Sequence, residues 1–473
     1  MSQTVPPANL ANVASNPRLL AAAAMANRVL DPFATPPLTP AMAYAASTAY
    51  IQGQVVINGG NWYVCNSPGT TAASGSGPVA TTGLTITDGN CHWTYYGPAE
   101  TTTTDADAPT MSISTSQPSY PLTNTWRCYA VSTGAAVVSS AFKFLGGAIT
   151  GTTSPKGYAY ANCFNAAAGA PTTRDWAVEF KTDAPAFVID FTGAGFTVQI
   201  VIDGRRFSPG GITGITTLEN FVTLTFPTRK TRRIRVEFNA RSGVLQNFVA
   251  VTTSANDQVW APTDDALRMV YIGDSYASGT TYSAVPGGHI PQRLGAKLGI
   301  ADVWNMSTSG TGYLNPAVTN SYTFGQRVAQ GLAANPSLWV FSGSVNDATY
   351  SPAAVTAAVT ATIQSVRAGG SLAPIVVFGV QSVNMTGVAA TEAAVAAGVA
   401  AANDPRTFFV PFNGASPLPW ISGSWNNSAL SNNANAGQYI VEDNEHPNDL
   451  GMAYLASRKA DAVWQSVYHA LAA

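Results

Sequence analysis

Charge is scarce in this chain. Asp, Glu, Lys and Arg make up 10% of its 473 residues, 23 basic against 25 acidic, for a formal net charge of −2. A chain so close to neutral exerts no long-range pull on nucleic acid or on an anionic membrane surface. Cysteine is scarce too. Cys65, Cys91, Cys128 and Cys163 all fall in the N-terminal third, without the closely spaced pairs that zinc sites use. Cys65 and Cys91 lie at the ends of two aromatic segments and either pair or remain buried thiols. No apolar run reaches the roughly 18 residues that would span a bilayer. Leu19 to Met25 is apolar after Arg18 but short and set behind a polar leader, so it reads as a small Ala-rich helix rather than a secretory signal. The expectation is a chain with no membrane span, no nucleic-acid partner, no metal and no cofactor.

What is present is enough apolar material, 46%, to exclude intrinsic disorder and to fill several cores at this length. Gly, Ala, Ser, Thr and Asn occupy the positions that charge leaves, a balance that suits β-rich extracellular or virion proteins. Residues 1–40 read as a leader or attachment segment ending in the breaker-rich Asp31-Pro32-Phe33-Ala34-Thr35-Pro36-Pro37. Residues 41–98 read as a small β module. Alternating apolar residues flank Asn58-Gly59-Gly60 as in a hairpin, and Cys91 to Gly97 supplies a closing strand. Its aromatics, Tyr50, Trp62, Tyr63, Trp93, Tyr95 and Tyr96, either fill the core or stack on sugar rings. The spacing of Tyr50, Gly53, Val56, Tyr63 and the late Trp93 resembles small chitin-type carbohydrate-binding modules and similar modules of phage tail proteins.

After a Thr-rich linker, residues 110–260 show short β-type runs about every ten residues: 176–180, 186–191, 196–202, 221–226 and 234–238, with the turn dipeptide Asp203-Gly204. That rhythm implies a β-sandwich. It resembles the jelly-roll partner that precedes the catalytic domain in some carbohydrate deacetylases. The one basic run, Arg229 to Arg235, looks like a hairpin that presents either a solvated strand face or an anion-binding patch.

From 262 to 473 the pattern becomes alternating strands and helices. Buried-strand candidates at 267–272, 302–305, 338–342, 375–380 and 407–410 are separated by helical stretches such as 353–367 and 389–402, with a last helix from about Asn448. Such a pattern specifies a five-stranded parallel sheet covered on both faces, a three-layer α/β/α domain. In these sheets, loops at the C-terminal ends of strands build the site. Three polar segments fall at those ends: Gly273-Asp274-Ser275, Ser344-Val345-Asn346-Asp347 and Asp443-Asn444-Glu445-His446. The first supplies a hydroxyl nucleophile, the second an amide donor, and the third a base with an orienting carboxylate. Each has a structural use taken singly: a helix cap for Asp274 and Ser275, an Asx turn for Asn346, a surface turn for Asp443 and His446, a tight bend for Gly310. Together, in this order, they specify acyl transfer. Of the four histidines, His92, His289, His446 and His469, only His446 has a carboxylate at useful spacing.

Residues 265–473 resemble the SGNH hydrolases, the GDSL-type esterases with a flavodoxin-like fold. The resemblance maps the four namesake residues to Ser275, Gly310, Asn346 and His446, with Asp443 three before the histidine. It implies Ser275, His446 and Asp443 as the catalytic triad and Ser275, Gly310 and Asn346 as the oxyanion donors. Two departures stand out. Gly343 lies one position earlier than the Gly-x-Asn-Asp pattern requires, and Tyr276 follows the serine where leucine is common. Around Ser275 the glycine pentapeptide of lipases is absent.

Tyr276, Trp420 and Trp425 are the candidate substrate-binding residues, the two tryptophans lying in a long polar loop between the fifth strand and His446. A sugar-binding-like module, a β-sandwich and this hydrolase together imply a serine esterase that removes O-acetyl groups from a polysaccharide such as a bacterial capsule or O-antigen. The modular front end resembles phage tail enzymes, so a virion tail with its tail components, or an extracellular setting, is expected. The competing readings are a non-catalytic glycan-binding tail protein and a general short-chain carboxylesterase.

Overall fold

The computed structural model describes residues 31–468 apart from short internal segments, the longest being 119–125, 131–138, 239–246, 414–419 and 426–434. The N-terminal leader up to residue 30, and Cys163, lie outside the described residues.

In the C-terminal domain the apolar runs become five parallel strands: β1 (Arg268–Gly273), β2 (Asp302–Asn305), β3 (Leu338–Ser342), β4 (Ile375–Phe378) and β5 (Thr407–Val410). Their order across the sheet is β2-β1-β3-β4-β5, every pair parallel. Strand periodicity divides their side chains between two cores. Met269, Tyr271, Leu338, Val340, Val376 and Phe378 face one layer, with α2 (Ile290–Lys297) and α7 (Asp449–Ala462). Val270, Ile272, Trp339, Phe341, Ile375 and Val377 face the other, with α3 (Val328–Ala333), α4 (Pro352–Ala368) and α5 (Val388–Ala402). Two four-residue helices, α1 (Ser275–Ser278) and α6 (Ala436–Tyr439), sit at the loop end of the sheet. Helix starts follow the caps in the sequence. Ser351 accepts from Ala354 N ahead of Pro352, and Asn448 accepts from Gly451 N at the head of α7.

Two antiparallel sheets precede this domain. One runs through strands 143–145, 176–182, 232–238, 198–202 and 205–206, the other through 148–152, 158–162, 247–254, 186–192, 219–225 and 110–114. Side chains from both sheets, including Val178, Phe180, Phe187, Ile189, Val236 and Val251, join one hydrophobic cluster. Asp203 and Gly204 turn the tight hairpin between 198–202 and 205–206 with φ of 50° and 84°, a pair of positive φ angles that suits these residues.

The basic run is not a hairpin. Arg232–Phe238 is a single interior strand between 176–182 and 198–202. Its arginines are spoken for: Arg233 and Arg235 both bind buried Glu179, and Arg232 lies 3.8 Å over the Phe226 ring. A cross-strand acid, invisible to local patterning, makes the run part of the sandwich rather than a free face.

The N-terminal module is a five-stranded sheet built around 55–58, 61–67 and 91–98. Its aromatics are structural. Tyr50, Tyr63, Trp93 and Tyr95 form its core with Val56, Cys65 and Cys91. Trp62 and Tyr96 pack with Ala284 and Val285 of the parallel-sheet domain. All six are at most 8% exposed, so none offers a free face to a sugar ring. Cys65 and Cys91 are free thiols with sulfurs 3.4 Å apart. Residues 31–40, grouped above with the leader, lie against the body. Leu38 N donates to Arg206 O and Thr39 N to Phe207 O, and the Phe33 ring sits under Arg206 and Arg293.

Candidate active site

Ser275 emerges where β1 ends. Gly273 brings the chain close to the ends of the two neighbouring strands: a Cβ there would meet Ser307 Oγ and Ser342 O at 3.1 Å. Asp274 caps α1, accepting from Tyr276 N at 3.1 Å. The cap is thus real, and it leaves Ser275 at the first helical position with its hydroxyl outward. His446 Nε2 lies 2.8 Å from Ser275 Oγ, and His446 Nδ1 lies 2.7 Å from Asp443 Oδ2.

Asp443 and His446 share one turn. Asp443 Oδ1 accepts main-chain N–H groups of Glu445 and His446, both at 2.8 Å. Asn444 adopts the left-handed conformation, φ 59°, that the reversal requires. Burial alone would raise Asp443, but the hydrogen bonds from His446 and Glu445 hold its carboxyl below the ordinary range. Burial lowers the His446 imidazole, and the bond and charge of Asp443, with Glu445 and Asp274, outweigh it and raise the ring above its usual 6.5.

Gly310 and Asn346 lie on the loops after β2 and β3. Asn346 is the middle residue of a 3₁₀ turn, Val345–Asp347, and its Nδ2 donates to Thr311 O at 3.0 Å. An amide nitrogen carries two hydrogens, so one locks the loop while the second remains for a ligand. Asp347 ties the two loops together by accepting from Tyr313, Leu314 and Asn315 N–H groups. Among the described residues, no hydrogen bond occupies the main-chain N–H of Ser275 or Gly310. The displaced glycine has its own role: Gly343 (φ 130°) leaves room for Asp274, whose Oδ2 a Cβ would meet at 2.6 Å.

Beneath the site are groups that sequence reasoning did not single out. The guanidinium of Arg327, fully buried, donates to Gly273 O, Met306 O, Thr311 Oγ1 and Tyr322 O. One side chain therefore fastens the ends of β1 and β2 and the Gly310 loop. Nothing around Arg327 in the sequence signals this. Lys459 on α7 donates to Ser342 Oγ at 2.7 Å and lies 4.0 Å over the Phe378 ring. Burial pushes Lys459 down to about 7 and Asp274 up to about 7, each opposed by the other's charge. Glu445 accepts from the Tyr276 hydroxyl at 3.3 Å and from Ser382 Oγ at 2.8 Å.

The aromatic candidates divide. Tyr276 is 1% exposed and packs inward, with its ring 5.9 Å from that of His446. Trp420 is 4% exposed against Phe412 and Phe378, under Arg458. Both belong to the same buried cluster under the sheet. Trp425 is half-buried, its main chain donating to Asn444 Oδ1 on the Asp443/His446 turn. Tyr350, at 40% exposure in the loop that carries Asn346, is an aromatic that the sequence reading passed over. No group of three or more metal-ligating side chains occurs among the described residues.

Comparison with known proteins agrees with this geometry. Residues 271–454 match the GDSL-like Lipase/Acylhydrolase family. No curated protein is detectably similar in sequence. Among solved structures, a family two carbohydrate esterase from Cellvibrio japonicus matches at a TM-score of 0.53 and 12% identity, covering 73% of this chain and 99% of that one. A putative GDSL-like lipase from Bacteroides ovatus matches at 0.48 and 17%, covering 72% and 97%. A family two carbohydrate esterase from Clostridium thermocellum, solved with cellohexaose, matches at 0.46 and 16%, covering 65% and 98%. The first of these shows a shared fold over a span longer than the parallel-sheet domain alone. Over residues 271–454 the chain is thus similar to the GDSL-like acylhydrolases, and the protein is a carboxylic ester hydrolase.

Proposed function

We propose that this hydrolase removes O-acetyl groups from a polysaccharide through an acyl-enzyme on Ser275. The observation that carries the proposal is the unbroken chain from Ser275 Oγ to His446 Nε2, and from His446 Nδ1 to Asp443 Oδ2, at 2.8 and 2.7 Å. As Ser275 Oγ attacks the acetyl carbon, its proton passes to His446 Nε2. Asp443 holds the ring in the tautomer with Nδ1–H and stabilises the imidazolium. Negative charge forming on the carbonyl oxygen meets the N–H groups of Ser275 and Gly310 and the second amide hydrogen of Asn346. The sugar alkoxide leaves with the proton from His446. A water then repeats the sequence on the acetyl-serine, releasing acetate and regenerating the hydroxyl. No metal or cofactor enters these steps.

The choice of a glycan over a small ester is supported by the likeness to the carbohydrate esterase from Cellvibrio japonicus and by Trp425 and Tyr350 as partly exposed aromatics, Trp425 bonded to the His446 turn and Tyr350 on the Asn346 loop. The sandwich, read as the jelly-roll-like partner of such esterases, and the β-rich front end favour action outside the cell, on a phage tail or as a free extracellular enzyme. Acetate release from acetylated xylan, peptidoglycan and bacterial capsules tests this. Turnover of p-nitrophenyl acetate with no acetate from any glycan would leave a general short-chain carboxylesterase. Inactivity toward every ester, equal to that of Ser275→Ala, would leave a glycan-binding protein.

A further inference from the structure

The turn that carries Asp443 and His446 belongs to a small hairpin rather than to the parallel sheet. Ile440 and Pro447 form a lone antiparallel bridge, and Val441 N donates to His446 O at 3.0 Å. These bonds fix Asp443 relative to His446. They do not fix the hairpin relative to Ser275, which rides on β1. Contacts from outside must do that, since the reacting atoms tolerate little displacement.

On one flank the contacts are local to the domain: Glu445 takes hydrogens from Tyr276 and Ser382. On the other flank they come from the N-terminal module, some 350 positions earlier. Gly83 N donates to Gly437 O at 2.8 Å. Thr85 N donates to Glu442 Oε2 at 3.1 Å across 357 positions. Leu450, just past the hairpin, packs on the module's aromatic core. Gly83 is buried, and a Cβ there would meet Ile440 O at 2.1 Å and Asn448 Nδ2 at 3.3 Å. Its φ lies outside the left-handed region, so the demand for glycine comes from space alone, the close approach of two backbones.

We propose that residues 83–85 of the N-terminal module are a positioning element for the Asp443/His446 hairpin, with Gly83 as the residue that lets the two backbones meet. The module is then part of the hydrolase's working geometry rather than an appended binding unit. This inference rests on the roles given to His446 and Asp443 above.

The test uses the full chain carrying Gly83→Val, Glu442→Ala or Glu442→Gln. The readouts are the ring-nitrogen NMR signals of His446, assigned by their loss in His446→Ala, and the kinetics of p-nitrophenyl acetate hydrolysis. With four histidines in the chain, those signals are few enough to follow. Gly83→Val should move the His446 signals and lower kcat about 10- to 100-fold with KM within about threefold. Glu442→Ala should do the same more weakly, about threefold in kcat, and Glu442→Gln, which keeps an acceptor oxygen for Thr85, should restore wild-type values. Unmoved His446 signals and unchanged kcat in Glu442→Ala and in any folded Gly83→Val would overturn the proposal. So would a loss confined to melting temperature. If Ser275→Ala hydrolyses the ester as well as wild type, the esterase reading fails, while the His446 signals still decide the positioning role.

Discussion

His446 Nε2 stands 2.8 Å from Ser275 Oγ although 171 positions separate the two in the chain. Ser275→Ala and His446→Ala should each lower kcat for p-nitrophenyl acetate by about 10⁴-fold or more, with KM little changed. Asp443→Asn keeps the shape but favours the wrong tautomer, and a loss on the order of 10³- to 10⁴-fold is expected. Steady-state assays on the three variants check this, and a variant retaining a tenth of wild-type activity would remove its residue from the mechanism.

The acid limb of the pH profile should lie above 6.5. The base must be neutral, and His446 is raised above that value because Asp443, Glu445 and Asp274 together outweigh its burial. Below its pKa, kcat/KM should fall about tenfold per pH unit. The stability linked to this shift runs the other way: it is fully present below 6.5 and lost as pH rises through the folded value. In Asp443→Asn the raising partner is gone while burial remains, so the residual activity should show an acid limb displaced to lower pH. Profiles of kcat/KM between pH 5 and 9 decide it.

Asn346 Nδ2 donates to Thr311 O, and in the proposed mechanism its second hydrogen meets the oxyanion. Asn346→Ala should cost about 10²- to 10³-fold in kcat. Asn346→Asp should be at least as damaging, since a carboxylate repels both the carbonyl of Thr311 and the developing charge. Activity within threefold of wild type in Asn346→Ala would place the oxyanion elsewhere.

Arg327 should matter to folding and to catalysis together. Arg327→Met strands the carbonyl oxygens of Gly273, Met306 and Tyr322 without their donor. A loss of roughly 3 kcal/mol or more is expected, since each buried orphan costs about 1–3 kcal/mol. Denaturant melts measure the stability. Kinetics at a temperature where the variant remains folded should still show reduced kcat, because the Ser275 and Gly310 loops lose their common anchor.

The two loop tryptophans should separate cleanly. Trp420→Ala opens a cavity against Phe412 and Phe378 and should destabilise by about 3–5 kcal/mol. Trp425→Ala should leave the melt nearly unchanged while raising KM for a glycan substrate, with p-nitrophenyl acetate unaffected. A melting loss in Trp425→Ala as large as that in Trp420→Ala would make both residues core.

The C-terminal sheet was legible in the sequence because strands buried on both faces are largely apolar, as Leu338–Ser342 and Ile375–Phe378 are, and the spans expected at 302–305, 338–342 and 407–410 match β2, β3 and β5 in their bounds. The polar segments holding Ser275, Asp443 and His446 were legible as candidates because acyl transfer needs particular atoms at strand ends, and the fold brings these three within hydrogen-bond reach. Other features depend on partners far along the chain. Trp62 and Tyr96 look like surface rings until Ala284 and Val285 cover them. Arg233 and Arg235 look solvated until Glu179 arrives from another strand. His289 carries no carboxylate at local spacing, yet Asp175 of the sandwich binds its Nδ1. In each case the decisive neighbour comes from a different unit or strand, and local pattern carries no record of it.

Gly53 has consequences beyond its own turn. A side chain there would strike Thr197 of the sandwich and Ala284 O of the parallel-sheet domain at once, so three parts of the chain converge on one point with no slack between them. Such a joint admits no swivel. A substrate arriving at Ser275 meets a preset contour instead of closing jaws, and heating should dismantle all three units in one calorimetric transition.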